Sequence, residues 1–231
     1  MPSSRLAALV FDFDGVIADS EPIHFTAFRD VLASIDIALS EAEYYERYLG
    51  YDDDGAFRAV GADHGRSLGE AEIARLIERK GEVLLEQLRG PHVVVAGARA
   101  CLERFAAVVP VAIASGARRE EIELVLGAHD LARYVSVIVA AGETPRSKPA
   151  PDPYVRATQL LMPLARHNVS IAPSSCVAVE DSRWGLASAR AAGLRTVALT
   201  TSYDRDALGD ADVVIDGLDE LTLSMADALV V

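Results

Sequence analysis

Cysteine is scarce in this 231-residue chain. Its two cysteines, Cys101 and Cys176, lie far apart, which excludes a disulfide framework and a thiolate metal site and suits a reducing compartment. Long apolar runs are missing as well, because no stretch approaches the length needed to cross a bilayer. Asp12 and Asp14 interrupt the single N-terminal stretch that could serve as a secretory signal. We therefore expect a soluble, cytoplasmic protein without a membrane partner.

Positive charge is the second deficit. Lysine and arginine number 22 against 35 aspartate and glutamate residues, so the formal net charge is −13 at pH 7. Such an acidic chain disfavours nucleic acid and anionic membrane surfaces as partners. An anionic small molecule would have to be held by local positive groups. The oligomeric state is left open as a monomer or a small homo-oligomer.

Short apolar segments alternate with helical patterns along most of the chain. Strands are predicted over residues 6–11, 108–114, 135–140, 176–179, 195–199 and 212–215, and a final helix over residues 218–228. Repeated apolar strands with helical crossovers imply an α/β fold, a Rossmann-like, doubly wound parallel sheet covered on both faces. Only helical patterns occur between the first two strands. We therefore expect an inserted all-helical domain over residues 20–90 and a core built from residues 1–19 and 91–231.

Polar residues follow four of the predicted strands. They are Asp12 and Asp14 after the first, Ser115 and Gly116 after the second, Lys148 after the third, and Glu180 and Asp181 after the fourth. Ligands bind beyond the carboxyl ends of the strands in such sheets, so these groups are expected at one edge. Several carboxylates at one edge would repel each other without a hard cation, and ligands that are all oxygen suit Mg²⁺.

Each group also has a purely structural interpretation. An Asp-x-Asp-Gly sequence is common in turns, and Lys148 could be a solvated surface lysine. Ser115 could cap the helix that follows it, and Asp181 and Ser182 could cap the helix near Trp184. The convergence of all four groups on one edge favours a functional site.

Four short segments resemble, in chain order, the motifs of the haloacid dehalogenase superfamily of phosphohydrolases. The segments are Asp12-Phe13-Asp14-Gly15-Val16, Ser115-Gly116, Lys148-Pro149 and Glu180-Asp181-Ser182. The sequences around Lys148 and Glu180 are most similar to the subgroup that contains phosphoglycolate phosphatase and β-phosphoglucomutase. That subgroup has a helical cap after the first motif, where the helical insertion is predicted here. The second aspartate of the first motif speaks against the dehalogenase branch.

The resemblance implies a Mg²⁺-dependent phosphatase that acts on a small phosphomonoester. Asp12 would attack phosphorus and form an aspartyl-phosphate, and Asp14 would protonate the leaving oxygen and then deprotonate water. Ser115, the amides near Gly116 and the Lys148 ammonium would hold the transferring phosphoryl group.

The residues of the implied metal site lie far apart in the sequence. Mg²⁺ would be bound by Asp12, the main-chain carbonyl of Asp14, and Asp181. Glu180 would be an additional or more distant contact to the metal.

Substrate choice belongs to the helical insertion, where the sequence says less. His24 matches, by its spacing from Asp14, a substrate-site histidine that assists catalysis in β-phosphoglucomutase, although it could also be a half-exposed helix residue. Leu49 and Asp53 replace the lysine and arginine of that mutase's substrate loop, and the acidic run 52–54 would repel a second phosphate if it faced the site. Mutase activity is therefore disfavoured.

Two further questions stay open. Arg118 and Arg119 could contact substrate, or they could form a solvated face offset by Glu120 and Glu121. The alternatives to a phosphatase are a phosphomutase similar to β-phosphoglucomutase and a non-enzymatic phospho-acceptor module that resembles a receiver domain. A receiver domain, however, would be about half this length and would lack the helical insertion.

Overall fold

A computed structural model describes residues 5–48, 51, 53–90, 93–166 and 170–230. The chain divides into two compact units, Met1–Asp19 with Pro91–Val231 and Ser20–Gly90. The first unit contains a parallel sheet and the second contains helices only, among the residues described. The fold is thus a Rossmann-like core with an all-helical insertion.

The sheet has six parallel strands. They are β1 (Ala8–Phe11), β2 (Val111–Ala114), β3 (Val137–Val139), β4 (Cys176–Glu180), β5 (Arg195–Leu199) and β6 (Val213–Ile215). The order across the sheet is β3-β2-β1-β4-β5-β6, which places β1 in the middle. Every residue of β1, β2 and β4 is buried, as expected for strands covered on both faces.

The helices fall into two sets. The insertion contains α1 (Glu21–Ala33), α2 (Glu41–Glu43), a π-helical turn (Tyr44–Tyr48), α3 (Asp53–Asp63) and α4 (Glu70–Gln87). The core contains α5 (Ala98–Ala106), α6 (Arg119–Ala128), α7 (Asp152–Leu161), α8 (Arg183–Ala191) and α9 (Leu223–Leu229), with short 3₁₀ turns at Ala132–Tyr134, Met162–Leu164, Pro173–Ser175 and Arg205–Leu208. No helix among the described residues has both the length and the apolarity to cross a membrane.

Each unit has its own apolar core. In the insertion, Phe28 packs against Tyr44 and Phe57 with ring centroids 5.9 and 4.9 Å apart. In the sheet unit, the side chains of Tyr154 and Leu161 on α7 pack with Ala8 and Val10 of β1. In each unit, helices therefore bury apolar side chains against other elements of the same unit.

Among the predicted strands and the final helix, the starts of β2 and of the last helix differ most from the sequence-based prediction. Strand β2 begins at Val111 rather than at Val108, because Val108 and Val109 close the end of α5 with bonds to the Phe105 carbonyl and Pro110 has no amide to donate to a ladder. The last helix begins at Leu223 rather than at residue 218.

The start of α9 has a local cause. The Thr222 hydroxyl accepts a hydrogen bond from the Met225 amide at 3.1 Å and caps the helix. Leu218 and Leu221, the apolar residues that suggested an earlier start, are buried in the preceding loop. These two leucines are therefore buried because they pack in the core, and not because they lie on one face of a helix.

Candidate active site

The register of β1 and β4 brings two acidic segments together. Phe11 pairs with Val179, and the Asp12 amide donates to the Val179 carbonyl at 2.8 Å. Asp12 therefore leaves the sheet beside Glu180, the last residue of β4, and beside Asp181, which follows it. One carboxylate oxygen from each of these three buried residues lies within 4.8 Å of the others. This cluster is the candidate metal centre.

Lys148 reaches the same cluster from the loop after β3. Its Nζ lies 2.8 Å from Asp12 Oδ1 and 2.5 Å from Glu180 Oε1, and the lysine side chain is only 13% exposed. The Ser188 hydroxyl on α8 donates to the Ala150 carbonyl and so ties this loop to the core. The surface-lysine interpretation is therefore wrong.

Glu180 is the most heavily hydrogen-bonded member of the cluster. Its Oε1 accepts bonds from Lys148 and, at 2.7 Å, from the hydroxyl of Tyr154 on α7. Its Oε2 faces the Asp181 amide at 3.2 Å, the Ser182 amide at 3.4 Å and the Ser182 hydroxyl at 3.1 Å. Tyr154 was missed at the sequence level because an aromatic residue at helical spacing is read as core.

The electrostatics of the cluster follow from its burial. Burial, and next the charge of Glu180, raise the pKa of Asp12 well above its ordinary value and that of Asp181 to about 7. Burial also acts to lower the pKa of Lys148, but the charges of Asp12 and Glu180 outweigh it and raise that pKa. The lysine therefore stays protonated. Asp12 and Asp181 bind a proton or a cation more readily than an isolated carboxylate does.

Two glycines make room for this cluster. A Cβ on Gly185 would lie 1.8–2.0 Å from the carboxyl atoms of Glu180. A Cβ on Gly15 would lie 1.9 Å from Asp181 Oδ2, and Gly15 also has a positive φ of 71°. A larger residue at either position would displace an acidic side chain.

The loop after β5 supplies a further contact that sequence reasoning missed. The Ser202 hydroxyl donates to Asp181 Oδ2, and the neighbouring Thr201 hydroxyl donates to the Gly15 carbonyl. Both hydroxyls therefore connect this loop to the acidic segments. Sequence alone offers no signal for them, because neither belongs to a recognisable motif.

Ser115 and Gly116 follow β2, which neighbours β1 on its other side. Ser115 is buried and its hydroxyl accepts a bond from the Ala117 amide at 2.9 Å. The N-cap of α6 is Arg118, so the interpretation of Ser115 as the cap is wrong. The turn keeps the Ser115 hydroxyl at the carboxyl edge of the sheet with a proton to donate.

Asp14 is half-buried next to the cluster. Strand β1 ends at Phe11, and the chain then turns so that Asp14 pairs with Ala18 in an isolated bridge, rather than continuing as an extended strand. The charge of Asp14 is a minor cause of the raised pKa values of Asp12 and Asp181.

His24 belongs to the helical unit. Its Nδ1 lies 2.9 Å from the Nζ of Lys80, which also donates to Asp53 Oδ1 at 2.7 Å. An ammonium can only donate, so Nδ1 accepts and the proton of a neutral His24 ring is on Nε2. The described residues do not include Leu49, Gly50 and Asp52, which belong to the segment compared above with the substrate loop of the mutase. They also do not include Pro91, which follows the insertion.

Arg119 stabilises the loop after β3. Its guanidinium contacts Glu143 at 2.6 Å and Glu123 at 3.1 Å and donates to the Ile138 carbonyl at 3.0 Å. These partners differ from Glu120 and Glu121, which the sequence suggested. Arg118 is exposed at the N-cap of α6.

Comparison with known proteins identifies the family. Residues 6–193 match the family model of the haloacid dehalogenase-like hydrolases. The chain is 35% identical to protein CbbY of Rhodobacter capsulatus over 87% of this chain and 88% of that protein. It is 30% identical to hexitol phosphatase B of Escherichia coli K12 over 94% of this chain and 95% of that protein.

A solved structure shares the fold. The crystal structure of CbbY from Rhodobacter sphaeroides in complex with phosphate has a TM-score of 0.78, with 24% identity over 94% of this chain and 96% of that one. The four segments singled out in the sequence therefore lie in the architecture that their resemblance implied. The chain belongs to the haloacid dehalogenase-like hydrolase family and is an enzyme.

Proposed function

We propose that this protein is a Mg²⁺-dependent phosphatase that removes the phosphate group from a small phosphorylated carbohydrate or polyol. The observation that carries the proposal is the buried Asp12 carboxylate, held between the Lys148 ammonium and the acidic pair Glu180 and Asp181. The similarity over nearly the full length to a protein named hexitol phosphatase supports this substrate class.

The donor set fits a hard divalent cation. Three buried carboxylates have oxygens within 4.8 Å of one another, and the charge of Lys148 offsets only one of them. Oxygen ligands of this kind suit Mg²⁺. We propose that Asp12, Asp181 and the main-chain carbonyl of Asp14 hold the ion, with Glu180 as an additional or more distant contact. When bound, the ion neutralises the repulsion between a carboxylate nucleophile and a phosphate dianion.

Asp12 is the proposed nucleophile. Its carboxylate attacks phosphorus in line, forms an aspartyl-phosphate and displaces the alcohol of the substrate. Its Oδ1 accepts bonds from the Phe13 amide at 2.7 Å and from Lys148, which fixes the rotation of the carboxylate. Lys148, the Ser115 hydroxyl and the amides near Gly116 hold the phosphoryl oxygens while charge develops on them.

Asp14 is the proposed acid and base. It is half-buried and follows the nucleophile by two residues, and its charge is a minor cause of the raised pKa values of Asp12 and Asp181. It donates a proton to the leaving oxygen and then takes one from the water that cleaves the aspartyl-phosphate. Both steps need a carboxyl group near the nucleophile, and Asp14 lies in the turn that follows it.

The functional alternatives are less well supported. The family match and the helical insertion make the receiver-like phospho-acceptor module wrong. In the helical unit Asp53, which takes the place of a cationic residue of the mutase loop, offsets the charge of Lys80. That pairing favours a substrate with one phosphate over a phosphomutase that grips two.

An assay of purified protein tests the proposal. We expect hydrolysis of p-nitrophenyl phosphate with Mg²⁺, loss of activity in EDTA, and turnover of hexose and hexitol phosphates in a phosphate-release panel. Asp12→Asn should abolish turnover while the circular dichroism spectrum stays unchanged. Activity that resists EDTA, or full activity of Asp12→Asn, would contradict the mechanism.

A further inference from the structure

We propose that Tyr154 is a positioning residue for Lys148, a role that rests on the proposed phosphatase function. Its hydroxyl donates to Glu180 Oε1, the same oxygen that accepts from the Lys148 ammonium. One oxygen of the Glu180 carboxylate therefore accepts hydrogen bonds from both side chains. Among the described residues, the hydrogen bond of the Tyr154 hydroxyl goes to Glu180 and not to Asp12, so its influence on the nucleophile passes through the lysine.

The two oxygens of Glu180 have different partners. Oε2 faces the Asp181 amide and the amide and hydroxyl of Ser182, which are fixed at the start of α8. Among the described residues, Oε1 accepts hydrogen bonds from Tyr154 and Lys148. The hydroxyl is therefore the neutral donor that competes with the ammonium for this oxygen.

The ring of Tyr154 adds a second contact to the lysine. Lys148 Nζ lies 5.2 Å from the ring centroid, within the range of a cation–π interaction. Tyr154 is fully buried on α7, so its hydroxyl cannot turn to water. The ammonium is held between the ring, Glu180 and Asp12, and this leaves it 2.8 Å from the nucleophile's Oδ1.

Loss of the hydroxyl has a defined consequence. With its neutral donor removed, Oε1 binds the ammonium alone and more strongly. This stronger ion pair competes with the contact between the ammonium and Asp12, where the phosphoryl group must be held. The phosphate then binds less well before and during transfer. A hydrogen-bond partner of a metal-ligating carboxylate typically changes metal affinity or activity by about 10–100-fold when it is removed, and Glu180 is a proposed contact of the metal.

The test is Tyr154→Phe, which removes one oxygen and keeps the buried ring. We expect the KM for p-nitrophenyl phosphate and the inhibition constant for inorganic phosphate to rise about tenfold together. The value of kcat should fall by a smaller factor. Thr158→Val is the matched control, because it removes another buried hydroxyl on α7 that donates at 2.9 Å to the Tyr154 carbonyl, away from Glu180.

A double-mutant cycle with Lys148→Met separates positioning from general packing. If Tyr154 acts through the lysine, Tyr154→Phe should have no further effect on phosphate binding, measured by calorimetry, in the Lys148→Met background. An equal loss in both backgrounds would overturn the proposal, and so would wild-type constants in Tyr154→Phe or the same loss in Thr158→Val. A wild-type protein without phosphatase activity would instead contradict the proposed function itself.

Discussion

At the scale of the residue, a hydroxyl orients one of the proposed metal ligands. Ser202 donates to Asp181 Oδ2 from the loop after β5. A partner of this kind fixes the direction of a carboxylate and often changes metal affinity about 10–100-fold when it is removed. Ser202→Ala should therefore weaken Mg²⁺ binding about tenfold in a calorimetric titration.

The control for this prediction is another serine in the helical unit. Ser34 donates its hydroxyl to the Val31 carbonyl at 2.6 Å, so Ser34→Ala removes a bond of similar length far along the chain. We expect that variant to bind Mg²⁺ as the wild type does. Equal affinities for Ser202→Ala and the wild type would show that Asp181 needs no orienting partner.

Part of the site could be predicted from sequence because charge and strand position coincide. Asp12, Glu180 and Asp181 come directly after apolar runs, and Lys148 lies in the loop after another, so the edge of a parallel sheet is expected to bring them together. Tyr154 and Ser202 could not be predicted, because a tyrosine at helical spacing and a serine in a loop are common in any globular chain. Their roles depend on tertiary distances alone.

At the scale of the element, the start of α8 depends on a glycine. A Cβ at residue 185 would lie within 2.0 Å of all three terminal atoms of Glu180, so Gly185→Ala must push that carboxylate aside. Displacement of about 1 Å near the reacting groups can cost about 100-fold in rate. We expect a loss of that size in kcat/KM.

Gly127 on α6 provides the matched comparison. A Cβ there would meet no atom of the described residues within 4 Å, and its φ is not in the left-handed region. Gly127→Ala should keep full activity and raise the free energy of unfolding by about 0.4–1 kcal/mol, because the unfolded chain loses freedom. Comparable activity losses in the two variants would mean that Gly185 matters for helix structure and not for Glu180.

A second prediction at this scale concerns the pairing of α3 with α4. Lys80 on α4 is only 2% exposed and is bound to Asp53 at the start of α3. Asp53→Asn leaves a buried ammonium without its carboxylate and should cost about 3 kcal/mol, whereas Lys80→Met removes the charge itself and should cost less. Urea unfolding would measure both, and the reverse order would contradict this account.

Element boundaries show where sequence patterns are weakest. The six strands and most of the helices could be placed because apolar runs and helical periods are long enough to identify. The starts of β2 and α9 could not. Val108 and Val109 close the end of α5, and Leu218 and Leu221 are buried in a loop, although each pair resembles part of the element that follows. Pro110 and Thr222 mark the true starts through a missing amide and a capping hydroxyl.

At the scale of the whole molecule, the acidic cluster links stability to pH and to metal. The folded protein raises the pKa of Asp181 from 3.8 to about 7, and it raises that of Asp12 as well. Because the folded state binds these protons more tightly than the unfolded state, protonation of the cluster stabilises the fold. This stabilisation is fully present below about pH 4 and is lost as the pH rises through about 7. The pKa of Glu143 is instead lowered by its hydrogen bond from Arg119, so its stabilising contribution is present at neutral pH and is lost as the pH falls through that lowered pKa.

Thermal unfolding in EDTA and in Mg²⁺ measures this link. We expect the stabilisation by Mg²⁺ to be larger at pH 7.5 than at pH 5, because the cation replaces protons that the cluster has lost. Asp181→Asn should reduce the difference between the two pH values. A Mg²⁺ effect that is independent of pH would show that the cation binds elsewhere.

The central claim is that Asp12 and Asp181 share one divalent ion. The most direct measurement is a crystal structure of the protein soaked with Mn²⁺, in which anomalous scattering locates the metal. We predict a peak at bonding distance from carboxylate oxygens of both Asp12 and Asp181. A protein that binds Mn²⁺ at another position, or that leaves these two carboxylates without a metal at saturating Mn²⁺, would contradict the account.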